Sequence, residues 1–353
     1  MFVFYLLKKL FFFDYTEVYQ FTSYLFLGSV ITIFFITFEG ILQGNKKFKS
    51  ISILNLFFFS FSISIPSILL SYNQNLSLEN LIFISILIKF FSVLTMFLVI
   101  KNNNLFKYSK NAILMNNLKK NSKWISLNNL LIQFYDLFDK YLIKIFLGPI
   151  AVSTYTIPQQ LTGKLSIISK SFSAFLLPNL SKNKIDNRGF NFSLDIFIKI
   201  IPLIIFLLFP LYPFILNFWL GNSYSDTIHN LTKIFSLCAI FSCSSHLLIT
   251  KFEASKTLSR NLKIEFLLMP LFLTSLYLFT NNHYSLLVIS LLILLKEFIL
   301  FLFRLNLLKS EINNVKNYFF YSFYFLLMLF FSFWNDNLYY LATLFFAINI
   351  FRK

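Results

Sequence analysis

The sequence predicts an all-α polytopic membrane protein, and three observations carry that prediction. The chain is 57% hydrophobic and 20% aromatic but only 13% charged. That is more apolar surface than a soluble domain of 353 residues can hide. Runs such as LIIFLLFPLYPFILNFWL and YSLLVISLLILLKEFILFLF approach or exceed the roughly 20 apolar residues that span a bilayer. The basic residues behind the net charge of +17 fall into alternate loops, a distribution that points away from nucleic acid as a partner.

About eleven transmembrane helices follow, helical because a lipid-facing backbone must satisfy its own hydrogen bonds. The first, 21–43, is followed by Lys46, Lys47 and Lys49. The second, 51–71, ends in SYNQNLSLEN, which has no basic residue. After 79–100 come Lys101, Lys107, Lys110, Lys119, Lys120 and Lys123; after 124–147 comes the lysine-free GPIAVST. The span 154–178 leads to Lys182, Lys184 and Arg188, and 193–216 leads to NFWLGNSYSD. Next, 228–250 is followed by Lys251, Lys256, Arg260 and Lys263, and 264–281 by TNNHY. Then 284–304 is followed by Arg304, Lys309 and Lys316. The spans 317–334 and 337–351 close the chain around WNDN, with Arg352 and Lys353 at the end.

The positive-inside rule turns this alternation into one topology, with the basic loops and the C-terminus in the cytoplasm. The opposite loops are short and leave no room for an extracytoplasmic catalytic domain. That argues against a membrane-embedded polysaccharide polymerase or an acyltransferase, and against an enzyme in general. Cys238 and Cys243 share one apolar run, and His229, His246 and His283 are scattered; neither set suggests a disulfide, a metal or another cofactor. The opening MFVFYLLKKLFFF lacks a small-residue cleavage site and does not read as a signal peptide.

The charges left inside the spans are the functional clue, because a charge at the bilayer centre costs at least about 2.5–3.5 kcal/mol. Lys170, Lys199, Lys233 and Asp195 lie near span ends, where snorkelling accounts for them. Glu39 reads as a solvated helix end. In 124–147, Gln133, Asp136, Lys140 and Lys144 recur at spacings of three and four and form one stripe on a helix. Asp136 stands four residues before Lys140, the favourable order for an intrahelical pair. Two readings stand: a self-neutralised pair that tightens helix packing, or the lining of a wet cavity. The cavity is preferred because the next span adds Gln159, Gln160 and Lys164. Lys89 is a further candidate. Lys296 and Glu297 lie mid-span, and adjacent residues do not face each other on a helix, so each is expected to pair elsewhere. The lining is expected to be basic on balance, which would attract anions.

Residues 139–182, DKYLIKIFLGPIAVSTYTIPQQLTGKLSIISKSFSAFLLPNLSK, resemble the middle of bacterial polysaccharide flippases, the Wzx-type O-antigen transporters of the multidrug/oligosaccharidyl-lipid/polysaccharide superfamily. Asp139, Leu147, Gly148, Tyr155, Pro178 and Ser181 carry the pattern. Gln43 and Gly44 before a basic turn, and Trp219, Leu220 and Gly221 in an outer loop, add weaker matches. The Leu-Gly-Pro-Glu-x-x-Gly loop between the first two helices of such proteins has no counterpart. The first full span is therefore expected to correspond to the fourth family helix, with residues 1–20 a remnant helix and outer loop and the chain an N-terminally truncated relative.

The resemblance implies two pseudo-symmetric lobes around a central cavity. They would be an incomplete N-terminal lobe at 21–122, a C-terminal lobe at 123–304, and two additional helices at 305–353. It implies a substrate, an undecaprenyl-pyrophosphate-linked oligosaccharide (O-antigen or capsule repeat unit), flipped outward across a bacterial inner membrane by alternating access. It also implies contact with membrane lipids and with other polysaccharide-assembly membrane proteins. On this reading Lys140, Lys144 and Lys164 serve the phosphates, Gln133, Gln159 and Gln160 the sugar hydroxyls, and Asp136 and Asp139 tuning or cation coupling. Coupling to protons or sodium is left open. A multidrug exporter of the same superfamily, a membrane-embedded polysaccharide polymerase and an inactive truncated fragment are the alternatives.

Overall fold

The computed structural model describes residues 15–72, 78–103, 112–181, 187–221, 224–309, 311–312 and 318. They are helical throughout, with no strand among them: α1 (Tyr15–Gly44), α2 (Phe48–Tyr72), α3 (Leu78–Asn102), α4 (Ala112–Leu147), α5 (Pro149–Gly163), α6 (Ser166–Ser181), α7 (Asn187–Leu208), α8 (Tyr212–Leu220), α9 (Asp226–Ala254), α10 (Leu258–Asn281) and α11 (Leu286–Leu307). Seven stretches of the described residues are long and apolar enough to cross a membrane, from Phe26–Gly44 to Leu286–Leu307. The protein is an all-α polytopic membrane protein. The expected spans 317–334 and 337–351 lie outside the described residues.

The chain divides into two compact units, residues 1–110 and 111–353. In the first, α1 and α3 pack side by side and α2 packs on α3. Their core is the small cluster Leu42, Ile51, Met96 and Ile100, beside the basic turn after α1. That turn is closed by the Lys47 N–H donating to the Leu42 carbonyl at 3.0 Å. Across it, Asn55 donates to Glu39 Oε1 at 2.9 Å, so Glu39 has a helix partner and is not merely a solvated end. Phe26, Ile33, Phe34 and Ile36 are exposed, an apolar face of the kind that lipid covers.

The second unit is built around α9, whose span window is 89% buried. It packs against α5, α6, α7, α10 and α11. Ser225 caps it by accepting from the Ile228 N–H, with Asp226 in the first turn, where a negative charge suits the helix dipole. A helix so rich in Ser and Thr can be buried because the hydroxyls bond within it. Thr232 donates to the Ile228 carbonyl at 2.8 Å, Ser236 to Thr232 at 2.7 Å, Ser244 to Ile240 at 2.9 Å and Thr250 to His246 at 2.8 Å. The same small side chains let neighbouring helices approach closely.

Three boundaries differ from the sequence reading. Residues 112–123, read as loop, begin α4, so Lys119, Lys120 and Lys123 sit on its first turns. At 36 residues α4 is about 54 Å long, more than a bilayer core needs, so its charged start has room outside the hydrocarbon. The expected span 154–178 is two helices, broken at Lys164–Leu165. There the bonding tightens to i→i+3: the Leu165 N–H donates to Thr162 at 3.0 Å and the Ile167 N–H to Lys164 at 3.0 Å. The expected span 193–216 ends as α7 at Leu208 and resumes as α8 after the 3₁₀ turn Phe209–Leu211, with Pro210 at the break.

Between α4 and α5 the chain turns on Gly148 alone. Its φ is 87°, a conformation that side chains resist, and Pro149 opens the next helix, where its missing N–H costs nothing. No atom lies within 4 Å of a Cβ added at Gly148, so only backbone strain opposes substitution. Gly148→Ala is expected to cost about 1–2 kcal/mol, seen as an earlier unfolding midpoint for the purified protein in detergent. An unchanged midpoint would show that the turn does not need this backbone.

Candidate functional site

A cavity of about 390 Å³ lies within the second unit, walled by α4, α5, α6, α9, α10 and α11. The size is that of a small-molecule pocket. α4 presents Asp136, Asp139 and Lys140 beside Tyr135, and α5 presents Gln159, Gln160 and Thr162. Lys170 comes from α6, Ser242, Ser245 and His246 from α9, and Glu265 from α10, while α11 adds Lys296, Glu297 and Arg304. Gly163, at the break between α5 and α6, is also part of the wall.

Of the residues singled out from sequence, Asp136, Asp139, Lys140, Gln159, Gln160, Lys296 and Glu297 are brought together here. Gln133, Lys144 and Lys164 are not in the wall and are exposed. Lys89 is exposed on α3, in the other unit. The stripe on α4 splits for a geometric reason. Each residue turns about 100° around a helix, and the wall face runs through Ile132, Tyr135, Asp136, Asp139 and Lys140. A stripe through Gln133, Asp136, Lys140 and Lys144 is rotated away from that face and touches it only in its middle.

Asp139 is the most enclosed of the α4 charges, at 4% exposure. Tyr155 donates its hydroxyl to Asp139 Oδ2 at 2.6 Å, and the Lys140 N–H lies 2.6 Å from Oδ1. The Tyr155 ring is fully buried edge-on to Phe235. Asp139 and Tyr155 both belong to the flippase-like pattern, and the one-residue turn at Gly148 brings them into contact. The expected Asp136–Lys140 pair is not among the ion pairs formed. Both side chains face the cavity instead.

Lys296 and Glu297 correct the neighbour rule. They pair with each other, Nζ to Oε1 at 2.9 Å. Two long side chains can bend together where the cavity leaves room beside the helix. Lys296 Nζ also stands 4.6 Å from the centre of the Tyr135 ring and 5.0 Å from that of Phe272, within cation–π range.

Arg304, read as a cytoplasmic loop residue, is buried at 4% exposure. It pairs with Glu265, itself 1% exposed, and its Nε donates to Asn261 Oδ1 at 2.9 Å. Asn261 donates in turn to Glu265 Oε1 at 2.9 Å and to Asn128 Oδ1 at 3.3 Å. This chain of polar groups joins α4, α10 and α11. Its sequence signal was present: Asn261 and Glu265 are four apart, and Lys296, Leu300 and Arg304 follow at fours on one face. Lys251, also assigned to a loop, is buried and pairs with Glu311 at 3.3 Å. Lys170 was explained by snorkelling, yet it lines the cavity.

The electrostatic balance therefore differs from the basic cavity expected. Lys140, Lys170, Lys296 and Arg304 share the wall with Asp136, Asp139, Glu265 and Glu297, four cations with four carboxylates. Lys144 and Lys164 fall outside the wall and Lys170 and Arg304 take their places, so the excess is cancelled by Glu265, which adds a fourth carboxylate. No group of three or more His, Cys, Asp or Glu among the described residues could hold a metal. Cys238 and Cys243 are free thiols.

The chain matches the model of the polysaccharide biosynthesis protein family over residues 3–229. It belongs to that family. No curated protein and no solved structure matches it. The family match takes in α4, α5 and α6, and with them the segment 139–182 that carries the Wzx-type resemblance. Glu265, Lys296, Glu297 and Arg304 lie beyond the matched stretch, so in this family member the α10 and α11 walls are known from the structure alone.

Breaking a buried ion pair from one side costs about 3–5 kcal/mol, whereas replacing both partners by apolar groups is often neutral. Arg304→Leu is therefore expected to lower the stability of this polysaccharide biosynthesis protein by about that much. The double variant Arg304→Leu/Glu265→Leu should recover most of the loss in the same denaturation assay.

Proposed function

We propose that the protein is a flippase of the bacterial cytoplasmic membrane. It carries an undecaprenyl-pyrophosphate-linked oligosaccharide, an O-antigen or capsule repeat unit, from the cytoplasmic to the outer leaflet. The observation that carries this reading is the cavity of matched charges, amides and hydroxyls inside a bundle of apolar helices, in a member of a polysaccharide biosynthesis family. A sugar head group entering hydrocarbon loses its hydrogen bonds to water, at about 4–8 kcal/mol for each polar group left unpaired. A wall of Gln, Ser and paired charges offers replacements, while the lipid tail stays in the bilayer.

Orientation fits the same reading. With the basic loops and the C-terminus inside, the wall residues run from mid-helix towards the cytoplasmic ends of α9, α10 and α11. On α9 they reach Ile249, and on α11 they reach Arg304. That placement suits loading from the side where the oligosaccharide is assembled. The α5–α6 break is of the kind that lines transport sites, where irregular backbone is tolerated only against a cavity. The reading needs no covalent chemistry: rocking of one helical lobe against another would expose the site alternately. Other membrane proteins of polysaccharide assembly would supply and consume the lipid-linked unit.

The test is complementation of a flippase-null strain, with lipid-linked oligosaccharide followed on each leaflet. Lys140→Gln should reduce outward transfer by about tenfold or more, the worth of one hydrogen bond from a charged group. Lys263→Gln, an exposed lysine outside the cavity, should stay within about twofold, as surface changes do. No transfer by the wild-type chain would refute the proposal.

A further inference from the structure

The charge balance and the unpaired atoms of the cavity say which part of a lipid-linked sugar it can hold. We infer that this cavity binds the sugar portion, as a neutral and hydroxyl-rich group, and leaves the pyrophosphate outside it. The inference rests on the flippase reading for its substrate and deepens it.

Two observations carry the inference independently. The first is electrostatic. Arg304 and Lys296, the cations of α11, are already held by Glu265 and Glu297, and Lys140 and Lys170 share the wall with an equal number of carboxylates, Asp136 and Asp139. A multiply charged anion placed here meets as many carboxylates as cations, so the wall offers it no surplus of positive charge. Matched charges instead supply donors and acceptors together, which is what a sugar hydroxyl uses, since it both gives and accepts.

The second is a set of buried oxygens with no hydrogen-bond partner. Gln159 Oε1, Ser245 Oγ and Glu265 Oε2 have none, and all three residues belong to the cavity wall. Each such atom costs about 1–3 kcal/mol while it is left unmade. The amide oxygen and the carboxylate oxygen can only accept. The group that completes them must therefore donate. A hydroxyl does so; a pyrophosphate oxygen, ionised at neutral pH, brings only more acceptors. The three side chains come from α5, α9 and α10, so a guest satisfying all three would bridge separate helices.

The experiment is ligand-detected saturation-transfer NMR on the full chain in detergent. The probes are a set of short neutral oligosaccharides of glucose, galactose and N-acetylglucosamine, together with inorganic pyrophosphate. At least one neutral oligosaccharide should bind, with an affinity that stays unchanged from low to high NaCl, because screening acts on charge. Pyrophosphate should neither bind in the cavity nor displace the sugar. Gln159→Leu and Ser245→Ala should each weaken sugar binding about three- to tenfold, the worth of one hydrogen bond. Wild-type-like melting would confirm that each variant is folded. Displacement of the sugar by pyrophosphate, absence of any sugar binding, or full sugar affinity in both folded variants would overturn the inference. Sugar binding without leaflet transfer would refute the flippase reading alone. Leaflet transfer with pyrophosphate-displaceable binding would refute this inference alone.

Discussion

Charge inside a membrane-spanning bundle has to be compensated within the protein, and the second unit is organised by that constraint. Arg304 is enclosed between α10 and α11, and Glu265, Asn261 and Asn128 answer it in sequence across three helices. Lys296 is met by Glu297 and by the faces of two aromatic rings. Asp139 is met by the Tyr155 hydroxyl. Each compensation joins helices that would otherwise have only dispersion forces between them, since lipid tails are as apolar as their side chains. Together they fix the walls of one cavity.

The other half of the design is a helix that is polar by composition yet buried nearly all round. α9 carries Ser and Thr along much of its length, and their hydroxyls are largely spent on its own carbonyls. It can therefore sit at the centre of the unit without needing water. Ser245 is the exception, left without a partner on the side that meets the cavity. Facing α9, the α5–α6 crossing gives up regular helix at Lys164–Leu165, beside Gly163 in the same wall. Spent hydroxyls behind and unspent polar groups in front give the cavity its chemistry.

That chemistry bears on the kind of guest the cavity of this polysaccharide biosynthesis protein can hold. A strongly basic chain invites a phosphate-binding interpretation, but the surplus of positive charge is spread over the chain and is not concentrated in the wall. In the wall itself cations and carboxylates are matched. Such a surface discriminates by hydrogen-bond pattern more than by charge, and specificity of that kind is sharpest where buried polar groups stay unpaired with the wrong guest.

The sequence by itself determined the class of the protein, its family and most of its described helices, though not their breaks. Length and polarity of a segment suffice to place it in a bilayer, and the pattern from Asp139 to Ser181 suffices for the resemblance. It also supplied much of the cavity wall, because charges that survive in apolar helices need a reason. What it could not supply was partnership. Whether Lys144 or Lys170 faces the cavity depends on the rotation of each helix against its neighbours, and a stripe at spacings of three and four leaves that angle open. Lys296 and Glu297 pair because a void beside the helix lets adjacent side chains bend together. Arg304 reads as a loop residue by position: its spacing from Lys296 and Leu300 marks a shared helix face, but only packing brings Glu265, distant in the chain, against that face. Pairing across helices is a property of packing, so tertiary structure alone decided the charge balance of the cavity.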